Sequence, residues 1–267
     1  MRIIGSAKKK YPRRTEYFTD YKTDFDHKSY KAVKIGKDYP YLSDKRGDRL
    51  KFSLLYGWVM TPIALLHTYL FSRTKVIGRD KLKDYRGKGF FLYGNHTSPI
   101  SDAFAPGAIA FPTSAHTVIS SKNMSIPVLG RLLRPLGAIP LPTDPRAARG
   151  FTEAVKKRIS ERRAVVIYPE GHLWPFMKDL RPFGSELLSL PDKLGAAVFT
   201  MTRVYKKRGR SFRCELYIDG PFLPDRELCP KDSREKLYRE VRCAMESRCS
   251  LSDIEIIEYK KENNKDE

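Results

Sequence analysis

The chain reads as an α/β protein: one mixed-sheet domain with surrounding helices, preceded by an N-terminal membrane-associating helical segment. Three observations predict this. Beyond residue 74, short apolar runs alternate with stretches of helical period; residues 52–71 carry no Lys, Arg, Asp or Glu; and residues 1–51 show neither the 3.6 nor the 2.0 period. At 267 residues and 41% hydrophobic content the chain can bury one sizeable core. We divide it into a basic tail (1–51), a membrane-associating apolar segment (52–73) and an α/β domain (74–267).

The tail carries 15 Lys and Arg against 7 Asp and Glu, a difference of +8, with tyrosines scattered among them. That composition predicts a solvated, loosely ordered segment, or else an anchor to anionic phosphate, each basic group near a charged membrane contributing about 1 kcal/mol. The apolar segment is long enough, at about 1.5 Å per helical residue, to span a hydrocarbon core of about 30 Å. Three readings stand: insertion into one leaflet, a single crossing, or a helix buried in the protein. Gly57 and Pro62 are expected to interrupt the helix, and Tyr56, Trp58 and Tyr69 are interface-seeking. Basic residues flank both ends, Arg46, Arg49 and Lys51 before and Arg73, Lys75 and Arg79 after. The absence of charge asymmetry favours insertion into one leaflet, on the cytoplasmic face.

Strands are expected at 89–93, 116–120, 137–141, 164–168, 196–201 and 214–218. A helix is expected over 146–162, with Phe151, Val155 and Ile159 four apart on one face. Asp232 with Glu235 reads as a capping pair opening a second helix that carries Leu237, Val241 and Met245. Cys214, Cys229, Cys243 and Cys249 show no C-x-x-C spacing, so neither a zinc knuckle nor a disulfide framework is indicated, and a reducing compartment fits. No secretory leader is visible. The formal charge of +20 attracts anionic partners. The uncharged run favours a membrane over nucleic acid, for which no signature is present.

Two constellations could do chemistry. After the apolar run 90–93 come Gly94, Asn95, His96 and, six residues past the histidine, Asp102. A histidine at a strand's C-terminal end stands where α/β sheets place their ligands, and it suits proton abstraction from an alcohol. A carboxylate partner would orient it, provided the intervening segment turns, which Pro99, with Ser98 as a helix cap, makes reasonable. After the run 164–167 come Tyr168, Pro169, Glu170, Gly171 and His172, where a glycine lets a ligand approach the backbone. Downstream, Lys178, Arg181 and Arg203 offer cations for a phosphate. Each of these residues also has an ordinary structural or surface role open to it.

Together the two segments resemble the glycerolipid acyltransferases, the family of lysophosphatidic acid and glycerol-3-phosphate acyltransferases, whose core begins with Asn-His, four residues, then Asp, and later shows Phe-Pro-Glu-Gly-Thr-Arg. The stretches 127–130 and 136–141 resemble the family's second block. The likeness covers about residues 75–205. It departs where five residues separate His96 from Asp102, so that Ser101 takes the family's Asp position, and where Leu173, Thr143 and Thr200 replace two arginines and a proline.

The resemblance implies transfer of a fatty acyl group to the hydroxyl of a lysophospholipid such as 1-acyl-sn-glycerol-3-phosphate. The donor would be acyl-CoA or an acyl carrier protein thioester, with no other cofactor and no metal. It implies His96 and Asp102 as the catalytic pair. Asn95, Glu170, Gly171 and His172 would hold the acceptor, and Arg181 and Arg146 would stand in for the missing arginines. The membrane is the expected partner. Two rivals remain: a metal-dependent hydrolase gathering His96, Asp102, Glu170 and His172, and a non-enzymatic basic lipid-binding protein.

Overall fold

The computed structural model describes residues 11–25, 30–42 and 46–262. The first element lies in the segment expected to be loosely ordered. There, β1 (Arg14–Phe18) pairs in parallel with the last strand, Arg14 opposite Ile257. The tail's scattered aromatics are what hold it. Phe18 and Phe25 are buried, their ring centroids 4.7 and 5.1 Å from that of Trp174. Packing on a distant tryptophan leaves no periodic trace in the tail's own sequence.

The apolar run continues as helix from α1 (Arg46–Phe52) through wide π-type turns at Ser53–Met60, α2 (Thr61–Leu65) and further π-type turns at Leu66–Phe71. The expected interruption at Gly57 and Pro62 does not occur. Proline removes one backbone donor, and the wider turn accommodates the loss: the Thr61 amide donates to the Tyr56 carbonyl, and so does the Thr61 hydroxyl at 2.9 Å. Tyr56, Ala64 and Thr68 face the protein. Trp58 (80% exposed), Ile63, Leu66, Leu70 and Phe71 (73% exposed) face outward. Only 17% of the helix's most apolar window is buried, which sets aside a core helix, and the 22 residues of Leu50–Phe71 are long and apolar enough to associate with a membrane.

Beyond it lie β2 (Lys75–Ile77), β3 (Phe90–Gly94), α3 (Ser101–Ala110), β4 (Ala115–Ile119), α4 (Leu129–Leu133), β5 (Ala138–Pro140), α5 (Ala148–Ser160) and β6 (Ala164–Ile167). The chain then runs through α6 (Ser189–Leu194), β7 (Ala197–Arg208), β8 (Ser211–Phe222), α7 (Pro230–Cys249) and β9 (Ile257–Lys261). Seven strands form one mixed sheet in the order β2-β8-β7-β3-β6-β4-β5, parallel except for the antiparallel β7–β8 pair. All six expected strands are present, and β1, β2 and β9 are additional. The central strand β3 is buried on both faces, Phe90 and Leu92 toward one core cluster and Phe91 and Tyr93 toward the other. Val155 is buried in the second cluster with Phe151 and Ile159 packed beside it, as the helical spacing predicts. The start of α7 is set by Pro230 at its first turn, after Cys229, rather than by the Asp232 and Glu235 pair.

Candidate active site

The site grows from the C-terminal end of β3, where Gly94 is required by space: a Cβ there would stand 2.8 Å from Met201 Cε and 2.9 Å from Tyr168 Cε1. Asn95 follows, 2% exposed. Its amide oxygen accepts from Arg203 N (2.7 Å) and its amide nitrogen donates to Arg203 O (3.0 Å), so its side chain extends the ladder between β3 and β7. With both groups engaged, Asn95 fixes where His96 leaves the sheet and is not presented to an acceptor.

His96 Nδ1 lies 2.9 Å from Asp102 Oδ2. The extra residue before Asp102 is absorbed because residues 97–101 wrap around the carboxylate: Oδ2 also accepts from Thr97 N (3.0 Å) and Ser98 N (2.9 Å). Ser98 Oγ accepts from the Ser101 amide, at 3.3 Å, so the serine caps the turn as expected although α3 itself begins at Ser101. On its other side Asp102 Oδ1 meets Arg203 Nη2 at 3.3 Å, both side chains nearly out of water. Burial works against the charge on Arg203, but Asp102 together with Tyr205, Cys214 and Tyr168 outweighs it and raises the guanidinium's pKa above its ordinary value. Arg203, weighed from sequence as a phosphate cation, is thus the buried partner of the Asp102 carboxylate. A charged residue inside an apolar strand was the available signal, because a buried charge requires a partner.

The loop after β6 closes over the same histidine. The Tyr168 ring stacks on His96 (centroids 4.6 Å apart, planes 25°), and its hydroxyl donates to the Asp102 carbonyl at 2.6 Å. Burial and the neighbouring Asp102 charge push that hydroxyl's pKa well up, so it stays a donor. Glu170 is fully enclosed: Oε2 accepts from the His96 amide (2.8 Å) and Arg181 Nη2 (3.1 Å), and Oε1 from the Arg181 amide (2.9 Å). Arg181 also donates to the His172 carbonyl and lies 4.8 Å over the Trp174 ring. Trp174 closes the circuit, its amide donating to His96 O (3.1 Å) and its indole to Thr23 O (2.9 Å). This network reaches from the N-terminal segment to the backbone of His96 and was not foreseen.

Several side chains expected at the acceptor are instead engaged with other residues of the chain. Glu170 and Arg181 form an internal ion pair rather than an exposed phosphate cradle. Arg146 is exposed, its guanidinium committed to Asp144 at 2.7 Å. Lys178 pairs with Glu255, and His172 lies 3.5 Å from Asp24. Gly171 has positive φ (78°), and no atom lies within 4 Å of where a Cβ would stand, so it leaves open space beside the site. Among the described residues no three His, Cys, Asp or Glu side chains gather to hold a metal ion. The Glu170 that the hydrolase reading needs is filled by nitrogen donors.

Residues 73–203 match the model of the Acyltransferase family, and this part of the chain is an Acyltransferase domain. Among solved structures it is similar to the 1-acyl-sn-glycerophosphate (LPA) acyltransferase PlsC from Thermotoga maritima. The two share 18% identity over 78% of this chain and 84% of that one, with a TM-score of 0.51, a likeness of fold. No curated protein matches the chain in sequence.

Proposed function

We propose that the protein transfers a fatty acyl group from an acyl-CoA or acyl carrier protein thioester to the hydroxyl of a lysophospholipid, with 1-acyl-sn-glycerol-3-phosphate as the acceptor, at the cytoplasmic face of a membrane. The observation that carries this reading is the 2.9 Å pairing of His96 Nδ1 with Asp102 at the end of the central strand of an Acyltransferase-family domain. With Nδ1–H donated to the carboxylate, Nε2 keeps its lone pair for the acceptor hydroxyl. The His96 side chain is 25% exposed, enough for an alcohol to reach it.

In this mechanism Nε2 removes the hydroxyl proton as the oxygen attacks the thioester carbonyl. The tetrahedral intermediate collapses with loss of the thiolate, and the imidazolium returns the proton to the leaving sulfur. Asp102 stabilises the imidazolium and keeps the ring in its tautomer. Arg203 holds Asp102, Tyr168 holds the ring plane, and Glu170 holds the His96 amide. The open space beside Gly171 is where the acceptor would be received. The outward apolar face of Leu50–Phe71 would bring the site to its lipid substrate. Incubating purified protein with radiolabelled acyl-CoA or acyl carrier protein and a panel of lysophospholipids tests the reading. Acylated product from lysophosphatidate supports it, while thioester hydrolysis alone, with no acylated lipid from any acceptor, refutes it.

A further inference from the structure

A cavity of about 850 Å³ opens at the opposite end of the sheet, at the N-terminal ends of β4 and β5. His96 and Asp102 are not part of it. Its wall is cationic: Lys51, Arg131, Arg134, Arg158 and Arg163 line it, with Glu161 2.7 Å from Arg158. Two guanidiniums are held in place. Arg163 Nη1 donates to Ser114 Oγ at 2.7 Å and lies 5.9 Å over Phe52, and Arg134 lies 6.0 Å over Tyr39. Like charges gathered in a partly enclosed space repel, and an anion would relieve that repulsion.

A second observation points to a ligand. His116 lines the same cavity, 4% exposed, its ring stacked on Phe52 at 5.0 Å. Its Nε2 is out of water and has no hydrogen-bond partner among the described residues. Buried polar atoms are seldom left so, and a ligand hydroxyl would satisfy this one. Burial, with Arg158 and Arg163, pulls the pKa of His116 down to about 3, so at neutral pH it offers a dipole and not another charge.

The rest of the wall is apolar and aromatic, from Phe52, Tyr56 and Phe111. Phe52 and Tyr56 belong to the helix whose outer face carries Trp58, Ile63, Leu66 and Leu70. With that face against a membrane, the helix holds the cavity beside the lipid surface.

We propose that this cavity binds the phosphate of an anionic phospholipid, at a site separate from the catalytic one. Acyl transfer is not needed for it; the lipid source rests only on the helix lying at a membrane. The test is calorimetric titration of the full chain in neutral detergent with dioctanoyl phosphatidylglycerol, dioctanoyl phosphatidylcholine and inorganic phosphate. The variants are Arg131→Ala/Arg134→Ala, its Lys/Lys counterpart, and Arg208→Ala/Arg210→Ala on the exposed β7–β8 turn. We expect phosphatidylglycerol to bind, the cavity double alanine to weaken it at least about tenfold, the lysines to restore part of the loss, and the turn variant to stay within about twofold of the parent. Equal loss in both alanine pairs, equal binding of phosphatidylcholine, or no binding overturns the site. Binding of inorganic phosphate alone, with the same dependence on Arg131 and Arg134, overturns the lipid as its source.

Discussion

Glu170→Gln removes one charge and changes almost no volume, yet the surroundings of Glu170 make it a severe change. Both carboxylate oxygens accept from nitrogen donors: Oε1 from the Arg181 amide, Oε2 from the His96 amide and Arg181 Nη2. Whichever way the new amide turns, its NH₂ meets a backbone N–H, so a buried hydrogen bond is lost and replaced by two opposed donors. Arg181, 1% exposed, is left as a buried cation without its counter-charge. Removing one partner of such a pair costs about 3–5 kcal/mol. At roughly 2–4 °C per kcal/mol for a chain of this size, the midpoint of thermal unfolding should fall by about 6–20 °C. Because the lost bond holds the His96 amide, turnover should fall with it in protein still folded at low temperature. Differential scanning fluorimetry in detergent and acyl-transfer kinetics read the two effects. A midpoint within about 2 °C of the parent, together with a raised acceptor Michaelis constant, would refute the reasoning and place Glu170 in contact with substrate.

Other consequences follow from the same geometry. Arg203→Met should leave Asp102 without its cation and lower turnover about tenfold to hundredfold, the size of a charge-assisted hydrogen bond, with the thioester Michaelis constant little changed in steady-state assays. Trp174→Ala, removing the ring that Phe18, Phe25 and Tyr259 pack against, should destabilise the chain by about 3–5 kcal/mol in denaturant titration and reduce turnover through the lost anchorage of the His96 loop. Trp58→Asp with Leu66→Asp should reduce co-sedimentation with vesicles at least about tenfold, since each apolar side chain contributes about 1.5–3 kcal/mol when buried. Unchanged co-sedimentation would detach this face from the membrane.

Residues whose role shows in local pattern were readable before the fold was known. Six strands announce themselves as apolar runs, and the α5 face as a spacing of four. His96 and Asp102 are marked by position after β3, and the turn that joins them by Pro99. Less legible were contacts between residues far apart in sequence. Nothing in the local sequence around Arg14–Phe18 indicates pairing with Ile257–Lys261. Glu170 and Arg181 look like exposed charges until the loop is seen to fold back and bury both. Gly57 and Pro62 suggested a break because propensity counts the missing donor and not the wider turn that accommodates it. Arg203 stood in plain view inside a strand, and its partner was a residue already singled out.

The central claim is that His96 is the general base of an acyl transfer. Its most direct test is single-turnover formation of labelled phosphatidate from lysophosphatidate and a labelled acyl thioester, by the parent and by His96→Ala at matched folding and vesicle binding. The account predicts a rate lower by about 10² to 10⁴-fold in the variant, the usual contribution of positioned proton transfer. Product formed by His96→Ala at the parent's rate would contradict it.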